Sequence, residues 1–162
     1  MKAQRGETLL ELLIYVAVLS LVFLVIGETF TTLVFTQKKI EARKTVDRNL
    51  EFAVKKIQQS IESASAVSDS YPSDTLTLTV DGQTVSYYVS SGVLEKQTGG
   101  TIVDLTSDKV SVAAGNGNLF YKIENPSAKA TIQVKIKMTY ISNDPQLQNI
   151  EAQTQTTVAL RK

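Results

Sequence analysis

An uncharged apolar run near the N-terminus limits what this chain can fold into more than any other feature of its sequence. Residues 12–26 read LLIYVAVLSLVFLVI, and Leu9 and Leu10 extend the run with Glu11 as its one charged interruption. A helix rises about 1.5 Å per residue, so the run is about 27 Å long, close to the apolar thickness of a bilayer. We therefore expect a membrane-spanning helix. Its apolar positions are Leu9, Leu12, Leu13, Ile14, Val16, Leu19, Leu21, Phe23, Leu24 and Ile26.

The residues around the start of the run indicate a second role. Residues 1–6 (MKAQRG) form a short basic leader that ends at Gly6, and Glu11 follows five residues later, inside the run. A carboxylate inside a bilayer costs about 2.5 kcal/mol or more at the centre, so such a group normally has a partner. A purely local alternative is a capping box, with Thr8 as the N-cap and Glu11 as the third helical residue. Gly6 has a local alternative too, as a glycine before a helix with no processing.

Residues 27–64 predict that the helix continues with a different character. Apolar residues recur at mostly three- and four-residue steps, and Lys, Arg, Glu and Gln fill the other faces. The stripe over residues 50–64 is expected to be a core face packed on a sheet. Gly27 and the threonines after it predict either a bend or melted turn, or simply the membrane exit. The stripe positions are Ile40, Val46, Leu50, Val54, Ile57, Ile61 and Ala64.

The remainder of the chain predicts a β-rich head. Residues 63–74 (SASAVSDSYPSD) indicate the helix stop and a linker, after which the apolar period changes to two. Asp81-Gly82 predicts a hairpin turn. The expected strands cover residues 76–80, 84–90, 101–105, 110–113, 119–123, 132–140 and 150–160. The predicted class is α+β, a long helix packed on a small antiparallel sheet, divided into a leader (1–6), a membrane and assembly helix (7–26), an amphipathic helix (27–64) and a head (65–162).

Composition excludes several kinds of function. The chain has no Cys and no His, which removes disulfides, thiolate metal sites and the commonest catalytic base. A net charge of +1 gives no support for a nucleic-acid interface. Asp104, Asp108 and the 115–118 loop match no calcium motif and are expected to be turn residues. We expect no enzyme, no cofactor and no metal site.

The segment RGETLLELL, residues 5–13, resembles the N-terminus of type IV pilins and type II secretion pseudopilins. The resemblance implies that a membrane prepilin peptidase cuts after Gly6 and methylates the new amine, although Glu7 stands where the family usually has an apolar residue. It implies that Glu11 pairs with the amine of a neighbouring subunit in a filament. It also implies an inner-membrane assembly platform and a separate ATPase, and the missing Cys and the unmatched head favour a minor subunit.

The sequence leaves two points open: the direction in which the helix crosses the membrane, and the position at which the chain is cut. Lys2 and Arg5 precede the span while four basic residues follow it within 18 residues, so charge does not favour a cytoplasmic N-terminus. The resemblance implies an N-terminus inside and a head outside, in a pilus, secretion or competence system. The rival interpretation is a secreted or anchored binding domain with an ordinary signal peptide cut after Gly27, but the charge of Glu11 is unusual in such a peptide.

Overall fold

A computed structural model describes residues 4–67, 70–124 and 130–160, with side chains described from residue 9 onwards in these ranges. One long N-terminal helix precedes antiparallel sheets, which confirms the predicted α+β class. The chain divides into two compact units, Met1–Ile40 and Glu41–Lys162. The elements are α1 (Gln4–Ser63), β1 (Ala66–Val67), β2 (Leu76–Val80), β3 (Gln83–Ser90), β4 (Val93–Thr98), β5 (Thr101–Asp104), β6 (Val110–Ala114), β7 (Phe120–Ile123), β8 (Thr131–Tyr140) and β9 (Glu151–Ala159).

The first unit holds the apolar part of α1. Every described side chain from residue 9 to residue 40 is exposed. Gly27 and the residues after it lie inside α1, so the melted turn that the sequence allowed is not formed. The hydroxyl of Thr29 donates a hydrogen bond to the carbonyl of Val25 at 2.8 Å, and that of Thr32 donates to Glu28 at 2.9 Å. The hydroxyls of these threonines therefore form their hydrogen bonds within the helix itself.

In the second unit, one face of α1 forms part of the core of the head. Apolar residues at three- and four-residue steps turn towards the sheets, as the sequence predicted for residues 50–64. Within residues 50–64 the stripe differs from expectation at two neighbouring positions, because Ala53 is fully buried while Val54 is half-buried. Ile40, which precedes the expected core face, is 62% exposed. The buried apolar residues of the helix are Ala42, Val46, Leu50, Ala53, Ile57, Ile61 and Ala64.

The first sheet is a meander with the strand order β1-β2-β3-β4-β5. Two-residue loops join β2 to β3, β3 to β4 and β4 to β5. The expected turn at Asp81-Gly82 is present, with φ values of 50° and 78°. Ser91-Gly92 makes the same kind of turn, with φ values of 50° and 81°. Turns with positive φ at both central residues match the twist of antiparallel strands, which explains the close pairing of β3 and β4.

The second sheet is built around β8. All of β9 pairs with one edge of β8, so β6 and β7 share the other edge, β6 at residues 136–140 and β7 at residues 131–134. Ile132, Val134, Ile136 and Met138 of β8 are fully buried and alternate with polar residues, as predicted. The head thus contains two sheets rather than the single expected sheet.

Two strands were not predicted. β1 lies inside the segment expected to be a linker, and Ser73 in the same segment bridges to Phe120 of β7. β4 has only Leu94 fully buried, so its sequence lacks the alternation of a half-buried strand. β1 pairs with β2, and β4 pairs with both β3 and β5.

Among the described residues of the second unit, three side-chain hydrogen bonds connect α1 to the head. The amide oxygen of Asn49 accepts the backbone N–H of Ser107 at 3.0 Å. The amide of Gln58 donates to Thr156 of β9 at 3.1 Å, and the hydroxyls of Ser60 and Tyr87 lie 2.5 Å apart. These bonds add directional contacts to the apolar packing of the stripe.

Candidate processing and assembly site

The predicted processing position lies in the first turns of α1. The helix begins at Gln4, so the backbone at Gly6 and Glu7 is helical in the uncut chain. The side chains of residues 1–8 lie outside the described part of the structure. Since Thr8 lies four residues inside α1, it does not serve as the N-cap here. The capping-box alternative for Glu11 therefore does not describe this chain before cleavage.

Glu11, the predicted assembly residue, lies on the surface of α1 with one described partner. The Tyr15 hydroxyl donates a hydrogen bond to Glu11 Oε1 at 3.0 Å. The two residues are four apart, the spacing at which side chains meet on one helical face. A neutral donor of this kind stabilises a carboxylate in an apolar solvent and leaves the other oxygen available to a cation. Sequence reasoning missed Tyr15, although its spacing from Glu11 was the available signal.

The predicted span presents its apolar side chains outward. Leu12 is 62% exposed and Leu24 is 69% exposed, and none of the most apolar 18-residue window of the helix is buried. Length and composition make α1 long and apolar enough to cross a membrane. Exposed apolar surface of this extent is rare on a soluble monomer. Such a surface is typical of a helix that is surrounded by lipid or packed against other helices. All the predicted span residues listed above lie on it.

Serine and threonine hydroxyls in and after the span bond to carbonyls of their own helix. The Ser20 hydroxyl donates to the Val16 carbonyl at 2.7 Å, and the Thr36 hydroxyl donates to the Thr32 carbonyl at 2.8 Å. In lipid, where no water is available, a hydroxyl that bonds back to its own helix avoids the cost of an unsatisfied donor. The positions of these hydroxyls follow from the sequence, and the helical backbone supplies their acceptors.

The described part of the head offers no metal-binding group. No three Asp or Glu side chains come together among residues 9–67, 70–124 and 130–160. The 115–118 loop, a weak calcium candidate, is instead held by Tyr121. Its hydroxyl donates to the Asn116 carbonyl at 3.2 Å and accepts the Asn118 N–H at 3.0 Å. These contacts give the loop a structural explanation.

Comparison with known proteins places the recognisable part of the chain at its N-terminus. Residues 1–27 match the family model described as the prokaryotic N-terminal methylation motif. No curated protein and no solved structure matches the chain. The matched segment contains Gly6, Glu7 and Glu11 together with the apolar run. This chain therefore begins with the prepilin peptidase substrate motif of type IV pilin-like proteins, which are structural rather than enzymatic, on a helix suited to membrane anchoring.

Proposed function

We propose that the chain is a structural subunit of a type IV pilus or pseudopilus-like filament, cut after Gly6 and assembled through α1. The observation that carries the proposal is the N-terminal methylation motif on a helix whose apolar side chains are exposed. A helix that is apolar all round must be surrounded by lipid or by other helices. In the precursor, lipid surrounds the helix. In the assembled filament, the helices of other subunits surround it.

Glu11 supplies the directional contact in this proposal. The cut after Gly6 leaves a positive amine on Glu7, and the Glu11 carboxylate of a neighbouring subunit binds it. Because the apolar side chains exchange lipid for protein, their burial changes little between the two states, and a charge pair in an apolar medium sets the register. Tyr15 orients one carboxylate oxygen and leaves the other for the amine.

The proposed partners follow from the same scheme. The prepilin peptidase and an inner-membrane assembly platform meet the N-terminal helix, other pilin subunits form the filament, and a separate ATPase supplies force. The precursor crosses the cytoplasmic membrane once, with its N-terminus on the inside and the head outside, and the filament is periplasmic or extracellular. The proposal needs no nucleic acid and no cofactor, and it treats the chain as a minor subunit.

Mass spectrometry of the mature N-terminal peptide from membranes tests the proposal. We expect a chain that begins at Glu7, with the mass of an added methyl group readable in the same spectrum. Gly6→Val is expected to abolish the cut because the peptidase requires the small residue. A chain beginning at Glu28 would indicate an ordinary signal peptide and a secreted head, and an uncut Met1 in the wild type would leave a plain membrane anchor.

The role of Glu11 has its own test. Glu11→Gln keeps an oxygen that accepts the Tyr15 hydroxyl but removes the charge, so we expect the cut to persist and filament incorporation to be lost. Glu28→Gln is the matched control, because it removes another exposed carboxylate of α1 and is expected to leave incorporation intact. Incorporation is measured by the variant's share of sheared filaments. Normal incorporation of Glu11→Gln would contradict the charge-pair role.

A further inference from the structure

The apolar surface of α1 extends beyond the predicted end of the span. Residues 29–37 (TFTTLVFTQ) carry no charge, and Phe30 and Leu33 are 67% and 55% exposed. Ile26, Phe30 and Leu33 follow one another at four- and three-residue steps, so they continue one face of the helix. Glu28 is two residues from both Ile26 and Phe30, about 200° around the helix, and faces away from them. One side of the helix thus stays apolar well past Glu28.

Two lysines follow this extension at the distance where a bilayer ends. If the hydrocarbon begins at Leu12, directly after Glu11, about 20 residues cross its roughly 30 Å and the far edge lies near Thr31. The headgroup layer adds about 5–7 Å on that side, equivalent to about three to five residues. Lys38 and Lys39 come next, and both are exposed.

The Lys38 side chain leans back towards the span. Its Nζ lies 5.7 Å from the centre of the Phe35 ring, in the preceding turn of α1. Helical side chains point towards the N-terminal end of their helix, so this orientation brings the ammonium nearer the membrane than its own Cα. Both the position of the lysine pair and the direction of Lys38 therefore place positive charge at the level of phospholipid headgroups.

We propose that Lys38 and Lys39 bind anionic phospholipid headgroups in the leaflet on the side of the head and thereby set the depth of α1 in the membrane. The inference rests on the membrane anchoring of the proposed function and moves the span from residues 7–26 to about residues 12–31. The occupant is anionic lipid because the charge is complementary and the surface continues that of the span. Glu11 then lies at the opposite interface. Glu28 lies about one turn inside the hydrocarbon edge near Thr31, where a carboxylate costs less than at the centre.

A spin label measures the depth directly. The chain has no Cys, so Gln37→Cys gives a single labelling site beside the lysines. The full chain is placed in nanodiscs of phosphatidylcholine with or without phosphatidylglycerol, and the accessibility of the label to a soluble nickel reagent is recorded. We expect phosphatidylglycerol to lower the accessibility, and high salt to reverse this. The double substitution Lys38→Gln with Lys39→Gln is expected to abolish the difference between the two lipids.

The matched control uses the second lysine pair of α1. Lys55 and Lys56 are also exposed, and the Lys56 ammonium likewise lies 5.7 Å from a phenylalanine ring, that of Phe52. They follow 17 residues further from the span, so Lys55→Gln with Lys56→Gln is expected to keep the full effect of phosphatidylglycerol. Equal losses from both double substitutions would overturn the proposal, because they would indicate attraction to the whole chain rather than to one level.

A second label separates this inference from the function on which it rests. With the label at Leu19→Cys, protection from the nickel reagent shows that the span lies in the bilayer. Protection at Leu19 with no effect of phosphatidylglycerol at Gln37 would overturn the lysine proposal alone. Free access of the reagent to Leu19 in every nanodisc would overturn both, since α1 would then not cross the bilayer.

Discussion

The two parts of α1 contain the same kinds of apolar residue in opposite surroundings. Leu24, in the first unit, is 69% exposed, whereas Ile57, in the second unit, is fully buried. The difference is already present in the arrangement of residues. Apolar side chains surround the first part of the helix and form a single stripe on the second. A stripe indicates a protein core on one side, whereas an apolar surface all round requires a different solvent.

The polar groups show the same contrast. In the first part, hydroxyls such as those of Ser20 and Thr29 donate to carbonyls of their own helix. In the second part, Asn49, Gln58 and Ser60 reach side chains or backbone of the head. These hydroxyls of the first part thus find their acceptors within their own helix, while the polar side chains of the second part bond to one particular partner, the head.

The largest expected effect separates the two parts by their contribution to folding. Ile57→Ala is expected to lower the free energy of unfolding of the head by about 2–5 kcal/mol, because it leaves a cavity where a fully buried side chain packs against the core. Leu24→Ala removes an apolar side chain of similar size from the exposed surface. It is expected to change the free energy of unfolding of the head by less than about 0.5 kcal/mol. Urea unfolding of the full chain in detergent, followed by the near-ultraviolet tyrosine signal, measures both.

The contrast fails if the two substitutions have similar effects. A loss of more than about 2 kcal/mol from Leu24→Ala would mean that the head depends on the apolar part of α1 for its stability. A loss below that value from Ile57→Ala would mean that the core collapses around the gap. Retained membrane association of Ile57→Ala would show that anchoring and folding are separable.

The sequence predicted those parts of the fold that local patterns encode. The helical stripe, the Asp81-Gly82 hairpin and the alternation of β8 all follow from the spacing of apolar and turn residues. Apart from that hairpin, it did not predict which strands pair with each other. That β6 and β7 share one edge of β8 is decided by contacts between distant residues, and β4 has too little alternation to be recognised. Ala53 was missed because a small side chain gives a weak apolar signal, although it is fully buried against the core.

The candidate site was predicted from a motif and not from folding rules. Gly6, Glu7 and Glu11 were identified by their spacing from the apolar run, and the same segment matches the methylation motif. No rule of helix formation requires a carboxylate inside the run or a glycine before it, so their roles remain proposals. Tyr15 was missed as a partner of Glu11, although the predicted helix already placed the two residues four apart on one face.

A smaller effect sharpens the contrast between the polar groups. Tyr87 is fully buried, and its hydroxyl forms a hydrogen bond with Ser60 of α1. Tyr87→Phe is expected to lower the free energy of unfolding by about 0.5–1.5 kcal/mol at neutral pH, the usual value of a hydrogen bond. Ser20→Ala, in the first part of α1, removes a hydroxyl that bonds only to its own helix and is expected to leave the stability of the head unchanged.

The pH dependence of the stability of Tyr87→Phe tests whether the Tyr87 hydroxyl is buried away from water. Burial raises the pKa of the Tyr87 hydroxyl above its ordinary value of 10.0, and the bond with Ser60 lowers it by less. Above pH 10.0 the unfolded chain releases this proton before the folded chain does, so the folded state binds more protons and its stability falls as pH rises. Tyr87→Phe is expected to make that fall shallower, whereas Ser20→Ala is expected to leave its slope unchanged. An unaltered slope in Tyr87→Phe would mean that the hydroxyl reaches water, and that the second part of α1 is less closely joined to the head than its buried stripe indicates.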